Sequence, residues 1–267
     1  MSLMPWFRRR WIFLATFFLA AGYMVLVEPA WIEVTHFTLS GDRQVGKVRV
    51  AQLSDIHLKD LGRTEESVLS SLTSVAPDMI VLSGDIVDRP DTLPVLDAFL
   101  ARLPKVAKVA VLGNWEYWGD VNIDALRKTY ERHDVKLLIN ECATLNIHDR
   151  KLHIVGLDDA TAGRPDLHKV RSCLEQQEDT VLVQHSPGFF DSGRPVGKPS
   201  ILNLAGHTHG GQVSFFGWAP WTPPGSGNFN RGWYDTDWGK LYVSRGIGTS
   251  IAPLRFASRP EVASFEL

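Results

Sequence analysis

The run Leu204-Ala205-Gly206-His207-Thr208-His209-Gly210-Gly211-Gln212-Val213 decides how the rest of the chain is read. Two histidines stand two positions apart between small residues. Gly206 before them and Gly210-Gly211 after them let the backbone turn sharply and approach a ligand closely. Residues 201–204 are mostly apolar and lead in like a buried strand. A strand ending in Gly-His-x-His-Gly aims both imidazoles at one point beyond its carboxyl end, and imidazole is the commonest side-chain metal ligand. The alternative is a polar turn with two solvated histidines, and the upstream chain weighs against it.

Upstream, the same arrangement recurs. Residues 48–53 alternate and are β-branched, as a strand requires, and run into Ser54-Asp55-Ile56-His57. Asp55 and His57 fall on one side of an extended chain. Residues 63–75 carry Val68, Leu69, Leu72 and Val75 at helical spacing, and Pro77 ends that helix. Residues 78–82 form a continuous apolar strand that delivers Ser83-Gly84-Asp85. Helix 92–103 follows, then strand 106–112, which delivers Gly113-Asn114-Trp115-Glu116, then helix 120–133. Strand, polar turn and helix repeated in this way predict an α/β domain with a largely parallel sheet, whose site lies beyond the carboxyl ends of the strands.

From Lys136 onward the texture changes. Short strands at 136–139, 144–148 and 152–157 predict a second, mixed or antiparallel sheet. Helix 166–174 precedes strand 180–184, which delivers His185. A Gly/Pro/Trp-rich segment spans 216–238, and 241–244 and 262–266 are closing strands. Residues 33–47 are an extended lead-in with a turn near Ser40-Gly41-Asp42. No boundary signal divides residues 45–267, so one domain with two sheets is expected there.

Asp55, His57, Asp85, Asn114, His185, His207 and His209 all sit at strand-to-turn junctions. Each has a dull reading alone: a turn cap, a left-handed turn, a satisfied core imidazole. Together they are the carboxylate, amide and imidazole donors that suit two first-row divalent cations. Manganese is the first expectation, with iron, zinc or magnesium as alternatives. Asp-x-His, Gly-Asp, Gly-Asn, a lone His and Gly-His-x-His resemble the calcineurin-like metallophosphoesterase family over residues 47–267. The finer resemblance is to its membrane-associated bacterial phosphodiesterase branch, through Gly206 to Val213, Ser244-Arg245-Gly246-Ile247-Gly248-Thr249 and Arg259-Pro260-Glu261. Some relatives there cleave UDP-2,3-diacylglucosamine. The resemblance implies a four-layer α/β/β/α sandwich. It assigns Asp55, His57 and His209 to a first metal and Asn114, His185 and His207 to a second, with Asp85 bridging. Asp85, Asn114 and His207 are the expected catalytic residues, and a metal-activated hydroxide would cleave a phosphodiester or pyrophosphate bond.

One position departs from the family pattern. Gly-Asn is commonly followed there by a histidine that protonates the leaving group; here it is followed by Trp115. An indole donates a hydrogen bond but carries no proton to transfer at neutral pH. Either the leaving group departs without an acid, or the chain is a metal-binding, catalytically weak envelope module. Glu116 fits the acidic slot that orients a ligand.

The chain has 267 residues, 44% of them hydrophobic and 22% charged, with a net charge of -2. That is ordinary globular composition, with no electrostatic case for nucleic acid. Cys142 and Cys173 form no zinc motif, and their spacing leaves their pairing open. At the N-terminus, Arg8, Arg9 and Arg10 precede an uncharged run of 17 residues, 11–27, that ends at Glu28-Pro29. This reads as a membrane anchor within residues 1–32, flanked by Trp6, Trp11 and Trp31. A signal peptide cleaved near Ala20-Ala21, and a buried core helix, are the alternatives. Arg9-Arg10 faintly resembles a twin-arginine export signal. The arginines would stay in the cytoplasm, which places the catalytic domain on the extracytoplasmic face of a bacterial inner membrane. The expected partners are a phosphorylated small-molecule or lipid substrate, such as a lipid or envelope glycolipid, and the membrane, with no nucleic acid; a monomer is expected. A cytoplasmic domain would instead make a UDP-2,3-diacylglucosamine pyrophosphohydrolase attractive.

Asp158-Asp159 read as a solvated turn or as groups near the site. Arg245 reads as a phosphate contact or an ion pair. Trp218, Trp221, Trp233, Tyr234 and Trp238 read as hairpin packing or a lipid-facing surface. His36, His133, His148, His153 and His168 fit no ligand pattern.

Overall fold

Helix α1, Met4–Gly22, opens the chain and stands exposed along residues 10–20. It continues as a wide turn, Tyr23–Val27, and a tight one, Glu28–Ala30. The computed structural model describes residues 4–39, 46–176, 179–191, 195–215 and 217–267. The turn expected at Ser40-Gly41-Asp42, and Phe216, lie outside them. β1 (Glu33–Thr38) and β2 (Arg49–Leu53) lead to α2 (Arg63–Val75). The Glu65 carboxylate accepts from the Gly62 N–H at the start of α2, and Ala76, in the left-handed region just before Pro77, ends it. β3 (Met79–Ser83), α3 (Leu93–Leu100), β4 (Ala107–Val111), the single-turn α4 (Asn114–Trp118) and α5 (Ile123–Glu131) follow. Asn122 caps α5 by accepting from the Ala125 N–H.

β5 (Val135–Leu137), β6 (Glu141–Ile147) and β7 (Arg150–Gly156) precede α6 (Leu167–Gln176) and β8 (Thr180–Val183). β9 (Ser200–Ala205), β10 (Gly232–Thr236), β11 (Gly239–Val243) and β12 (Glu261–Glu266) complete the chain. Among the described residues there are two mixed six-stranded sheets, ordered β1-β12-β2-β3-β4-β5 and β10-β11-β9-β8-β7-β6. Val50, Val81, Val109, Ile154, Val181 and Leu204 pack between the sheets. α2, α3 and α5 cover the outer face of the first sheet through Leu72, Phe99 and Leu126. Val170 and Leu174 of α6, with Phe190 and Trp238, cover the second.

Two strands sit where local pattern does not place them. The strand expected at 136–139 pairs in parallel with β4 and closes the first sheet, not the second. Its register follows from α5, which crosses back over the sheet as a parallel connection must. The last strand, β12, lies between β1 and β2, parallel to one and antiparallel to the other. Cys142 on β6 and Cys173 on α6 form a disulfide that ties the helix to its sheet. Of the aromatic cluster, Trp238 is buried, and Trp233 packs on Phe37, Tyr242 and Phe265; Trp218 and Trp221 are exposed.

The disulfide spans 31 residues of sequence, so its loss should cost about 2–4 kcal/mol through the unfolded chain. Cys173→Ser is expected to lower the thermal unfolding midpoint by several degrees, and reductant should lower the wild type equally. Equal midpoints for variant and wild type would refute the stabilising role.

Candidate metal centre

All seven side chains at strand ends meet where the two sheets share their carboxyl edges. β2, β3 and β4 deliver Asp55, His57, Asp85 and Asn114; β8 and β9 deliver His185, His207 and His209. Asp55, Asp85, His57, His207 and His209 all hold left-handed φ values, between 50° and 71°. Such values are rare for residues with a Cβ, cost about 1–3 kcal/mol each, and persist only where surroundings enforce them. The turn after each strand is thereby sharp enough to point the side chain back across the sheet edge. Two glycines make the approach of the strands possible. A Cβ on Gly206 would collide with Ser54 Oγ and Asp55 Oδ2, and one on Gly113 would collide with the Asp85 carboxylate.

The donor atoms fall into two trios, Asp55/His57/His209 and Asp85/His185/His207, each with its ligand atoms within 4.8 Å of one another. All six residues are buried. Within and between the trios, His57 Nε2 lies 3.1 Å from His209 Nε2, and Asp85 Oδ2 lies 3.1 Å from His185 Nε2 and 3.9 Å from His57 Nε2. Asn114 Oδ1 is 2.7 Å from His207 Nδ1.

Hydrogen bonds on the far side of the rings fix which nitrogen is free. His57 Nδ1 meets Asp88 Oδ1 at 2.6 Å, and His185 Nδ1 meets the Ser83 carbonyl at 2.7 Å. Both acceptors require the ring proton on Nδ1, leaving the Nε2 lone pair aimed inward. His207 is reversed: Nε2 donates to the Pro224 carbonyl at 2.7 Å, so the Nδ1 lone pair faces the Asn114 oxygen. His185 Nε2 is buried without a hydrogen-bond partner. His57 Nε2, His185 Nε2 and His207 Nδ1 thus converge with the Asp55 and Asp85 carboxylates and the Asn114 oxygen, a donor set that divalent cations suit.

Charge around the site follows the same logic. Burial raises the Asp55 carboxyl. Against burial, the Asp85 and Asp55 carboxylates push His185 well above the ordinary imidazole value, and the charge on His185 in turn outweighs burial and holds Asp85 at about 2; a divalent cation would take the place of that proton. Burial, His57 and Arg255 together hold His209 well below the ordinary imidazole value, and therefore neutral as a ligand must be. Glu116 accepts from the N–H groups of Gly113 (2.8 Å), Asp85 (3.1 Å), Ile86 (2.7 Å) and Val87 (3.2 Å), which fixes the Asp85 turn. Burial and then Asp85 push Glu116 up to about 7.

Two residues beside the ligands escape the sequence reading. Asp88 lies three positions after Asp85, and that spacing of a second carboxylate was its one legible signal. Arg255 is wholly buried; it donates to the carbonyls of Gly248, Arg245 and Ser258 and stands 3.3 Å from His209 Nδ1. No local pattern marks it. Asp158 and Asp159 do not form a solvated turn: both are buried. Asp158 accepts from Tyr117 Oη and the Arg164 N–H, and Asp159 from Thr161, Ala162 and Ser186, so they pin the loop after β7. Arg245 pairs with Glu33 and Glu261 at 2.8 and 3.1 Å rather than facing the trios.

Comparison with known proteins agrees with this geometry. Residues 48–217 match the calcineurin-like phosphoesterase family model. The chain is 32% identical over 257 residues to the uncharacterized metallophosphoesterase YkuE of Bacillus subtilis, covering 92% of this chain and 89% of that one. It is 27% identical over 257 residues to the phosphodiesterase YaeI of Escherichia coli, covering 92% of each. The fold also resembles that of the NAD nucleotidase of Haemophilus influenzae, with a TM-score of 0.50 and 13% identity over 76% of this chain and 46% of that one.

Asp88→Asn keeps the shape and removes the charge behind His57. It should weaken divalent metal binding about 10- to 100-fold, as loss of such outer partners does. Gly206→Ala should cost more, because the added Cβ would run into the Asp55 carboxylate itself, a ligand of the first trio, and into the Ser54 hydroxyl. Calorimetric titration of metal into stripped protein reads both, and wild-type affinity in the two variants would refute the assignment.

Proposed function

The chain belongs to the calcineurin-like phosphoesterase family, and we propose that it is a membrane-tethered phosphohydrolase that cleaves a phosphodiester or pyrophosphate bond. It is a metal-dependent phosphoesterase with a dimetal site. The observation that carries this is the convergence of two buried Asp/His trios, with His185 Nε2 left without a hydrogen-bond partner. We assign Asp55, His57 and His209 to one metal and Asn114, His185 and His207 to the other, with Asp85 between them. Carboxylate, amide and imidazole donors fit manganese, iron, zinc or magnesium, manganese being our first choice. When bound, such a pair supplies Lewis acidity that activates water and neutralises charge at phosphorus.

The chain's own contribution is to hold and exclude. Asp85 keeps its carboxylate between the trios because Glu116 fixes the turn and the Trp115 N–H donates to Asp85 Oδ1 at 2.8 Å. Asn114 and His207 border the cleft where a phosphoryl group would lie. The Trp115 ring packs edge-on to His57 and to Trp118 and fills the place of an acid. A site without that acid favours leaving groups that depart readily as anions, which supports an anhydride or the ester of an acidic alcohol over an unactivated alkyl ester. The printed activity of the Escherichia coli relative, a phosphodiesterase, agrees.

Residues 1–32 are the anchor in this reading, and 45–267 are the phosphoesterase domain, a four-layer α/β/β/α arrangement. One helix, within residues 10–30, is long and apolar enough to cross a membrane. The Cys142–Cys173 disulfide supports an extracytoplasmic domain, since disulfides persist in oxidising compartments. It weighs against the cytoplasmic nucleotide-lipid alternative.

Manganese-loaded protein should hydrolyse a bis-aryl phosphodiester, and Asp85→Ala or chelation should abolish turnover; undiminished activity in Asp85→Ala would refute the dimetal reading. Trp115→His restores a proton carrier and should speed alkyl diesters by about 10²-fold or more, with little gain on aryl diesters. Equal response of both substrate types would refute the leaving-group argument.

A further inference from the structure

A cleft of about 430 Å³ opens directly beside Asp85, Asn114, His207 and His209. Its volume lies in the range of small-ligand pockets. Away from the metal ligands its walls are Trp115, Trp118, Val213, Trp221, Ile251 and Leu254, with prolines between them. No Lys, Arg or Glu is among the described residues that line it. The polar groups of Gln212 and Thr208 are already engaged. The Gln212 amide donates to the Ala252 carbonyl and accepts from the Ser250 N–H, and the Thr208 hydroxyl donates to the Asn230 carbonyl. A sugar or a base would find few partners on these walls, whereas a hydrocarbon chain needs none.

The cleft wall at residues 250–254 runs directly into residues that are bonded to the end of the apolar helix. The Arg255 N–H donates to the Met24 carbonyl at 2.9 Å, one residue from cleft-lining Leu254. The Ser258 N–H donates to Glu28 Oε1 at 2.8 Å, and the Arg259 guanidinium stacks 4.2 Å over the Trp31 ring. Glu28 is itself buried, so this is a fixed joint. Met24 lies inside the apolar run, and the loop bonded to it therefore sits at the level of the bilayer surface. On that loop Ile251 is 82% exposed, and across the mouth Trp118 and Trp221 are each 55% exposed. Large apolar and indole side chains left open at that level are what a headgroup interface accommodates.

We propose that the cleft holds the hydrocarbon tail of a lipid phosphate ester, taken from the bilayer past Ile251 and Trp221, with its phosphoryl group at the metal ligands. This rests on the phosphohydrolase reading above and adds the substrate class to it. The source of the chain, acyl or prenyl, is the same chemistry for this cleft. The tail provides binding and orientation, and the metal trios act on the phosphorus.

The test uses the full chain in phospholipid nanodiscs, loaded with manganese, and p-nitrophenyl alkyl phosphates with methyl, butyl and octyl esters. In the wild type kcat/KM should climb with chain length, by about fourfold per methylene at most. Ile251→Asp and Trp221→Ser should each flatten that climb, lowering the octyl-to-methyl ratio at least tenfold. Both positions are more than half exposed, and metal content and unfolding midpoint serve as checks on folding. Partitioning of the substrates into the disc is common to wild type and variants, so the difference in slope belongs to the cleft. A flat series in the wild type, or equal slopes in wild type and both variants, overturns the proposal while leaving phosphodiester hydrolysis intact. No hydrolysis of any ester by metal-loaded wild type overturns the hydrolase reading, and the tail proposal with it.

Discussion

Around the point where both sheets end, imidazole nitrogens and carboxylate oxygens from five strands converge in one buried pocket. Gathering so many buried acceptors is unfavourable on its own: the Asp55 and Asp85 carboxylates accept from the His207 and Trp115 N–H groups, but His185 Nε2 has no hydrogen-bond partner. The protein keeps them in place from behind. Asp88, the Ser83 carbonyl and the Pro224 carbonyl each take one ring proton and so leave the opposite lone pair inward. The site is thus organised by what surrounds the ligands, and a pair of divalent cations is the group whose charge resolves the conflict.

The scaffold is shaped to sustain that arrangement. Five ligands sit in the left-handed backbone region, at several kcal/mol of combined local strain by the usual order of magnitude, ~1–3 kcal/mol each. The inter-sheet core offsets this, since Val50, Val81, Val109, Val181 and Leu204 bury the strands that carry them. Glu116 ties the Asp85 turn to the start of α4 with four backbone hydrogen bonds, so two neighbouring strands present their ligands as one rigid unit. Strain and rigidity belong together here: a looser core would let the turns relax and the lone pairs rotate away.

The N-terminal helix is joined to this centre rather than merely preceding it. Glu28 caps the Ser258 N–H, and the Ser258 hydroxyl donates to the His209 carbonyl at 2.8 Å. Arg255, bonded through its backbone to Met24, also reaches His209 with its guanidinium. Two short paths therefore run from the end of the apolar run to His209, and the same contacts fix how the cleft sits relative to that helix.

Much of this was legible in the chain before any coordinates. Alternating β-branched strands, apolar helical spacing and Gly-flanked Asp and His at strand ends follow from local rules, because each depends on a few adjacent residues. Those rules led to the α/β class and to seven candidate ligands, six of which the structure gathers into the two trios. They could not say which sheet takes residues 135–137, or that β12 inserts between β1 and β2, because strand order is set by non-local pairing and crossover handedness. Nor could they reveal Arg255 beside His209, the burial of Asp158 and Asp159, or the joining of Cys142 to Cys173, each of which is a meeting of distant segments. Sequence spacing specifies where a side chain points from its own backbone; only packing decides what it meets there.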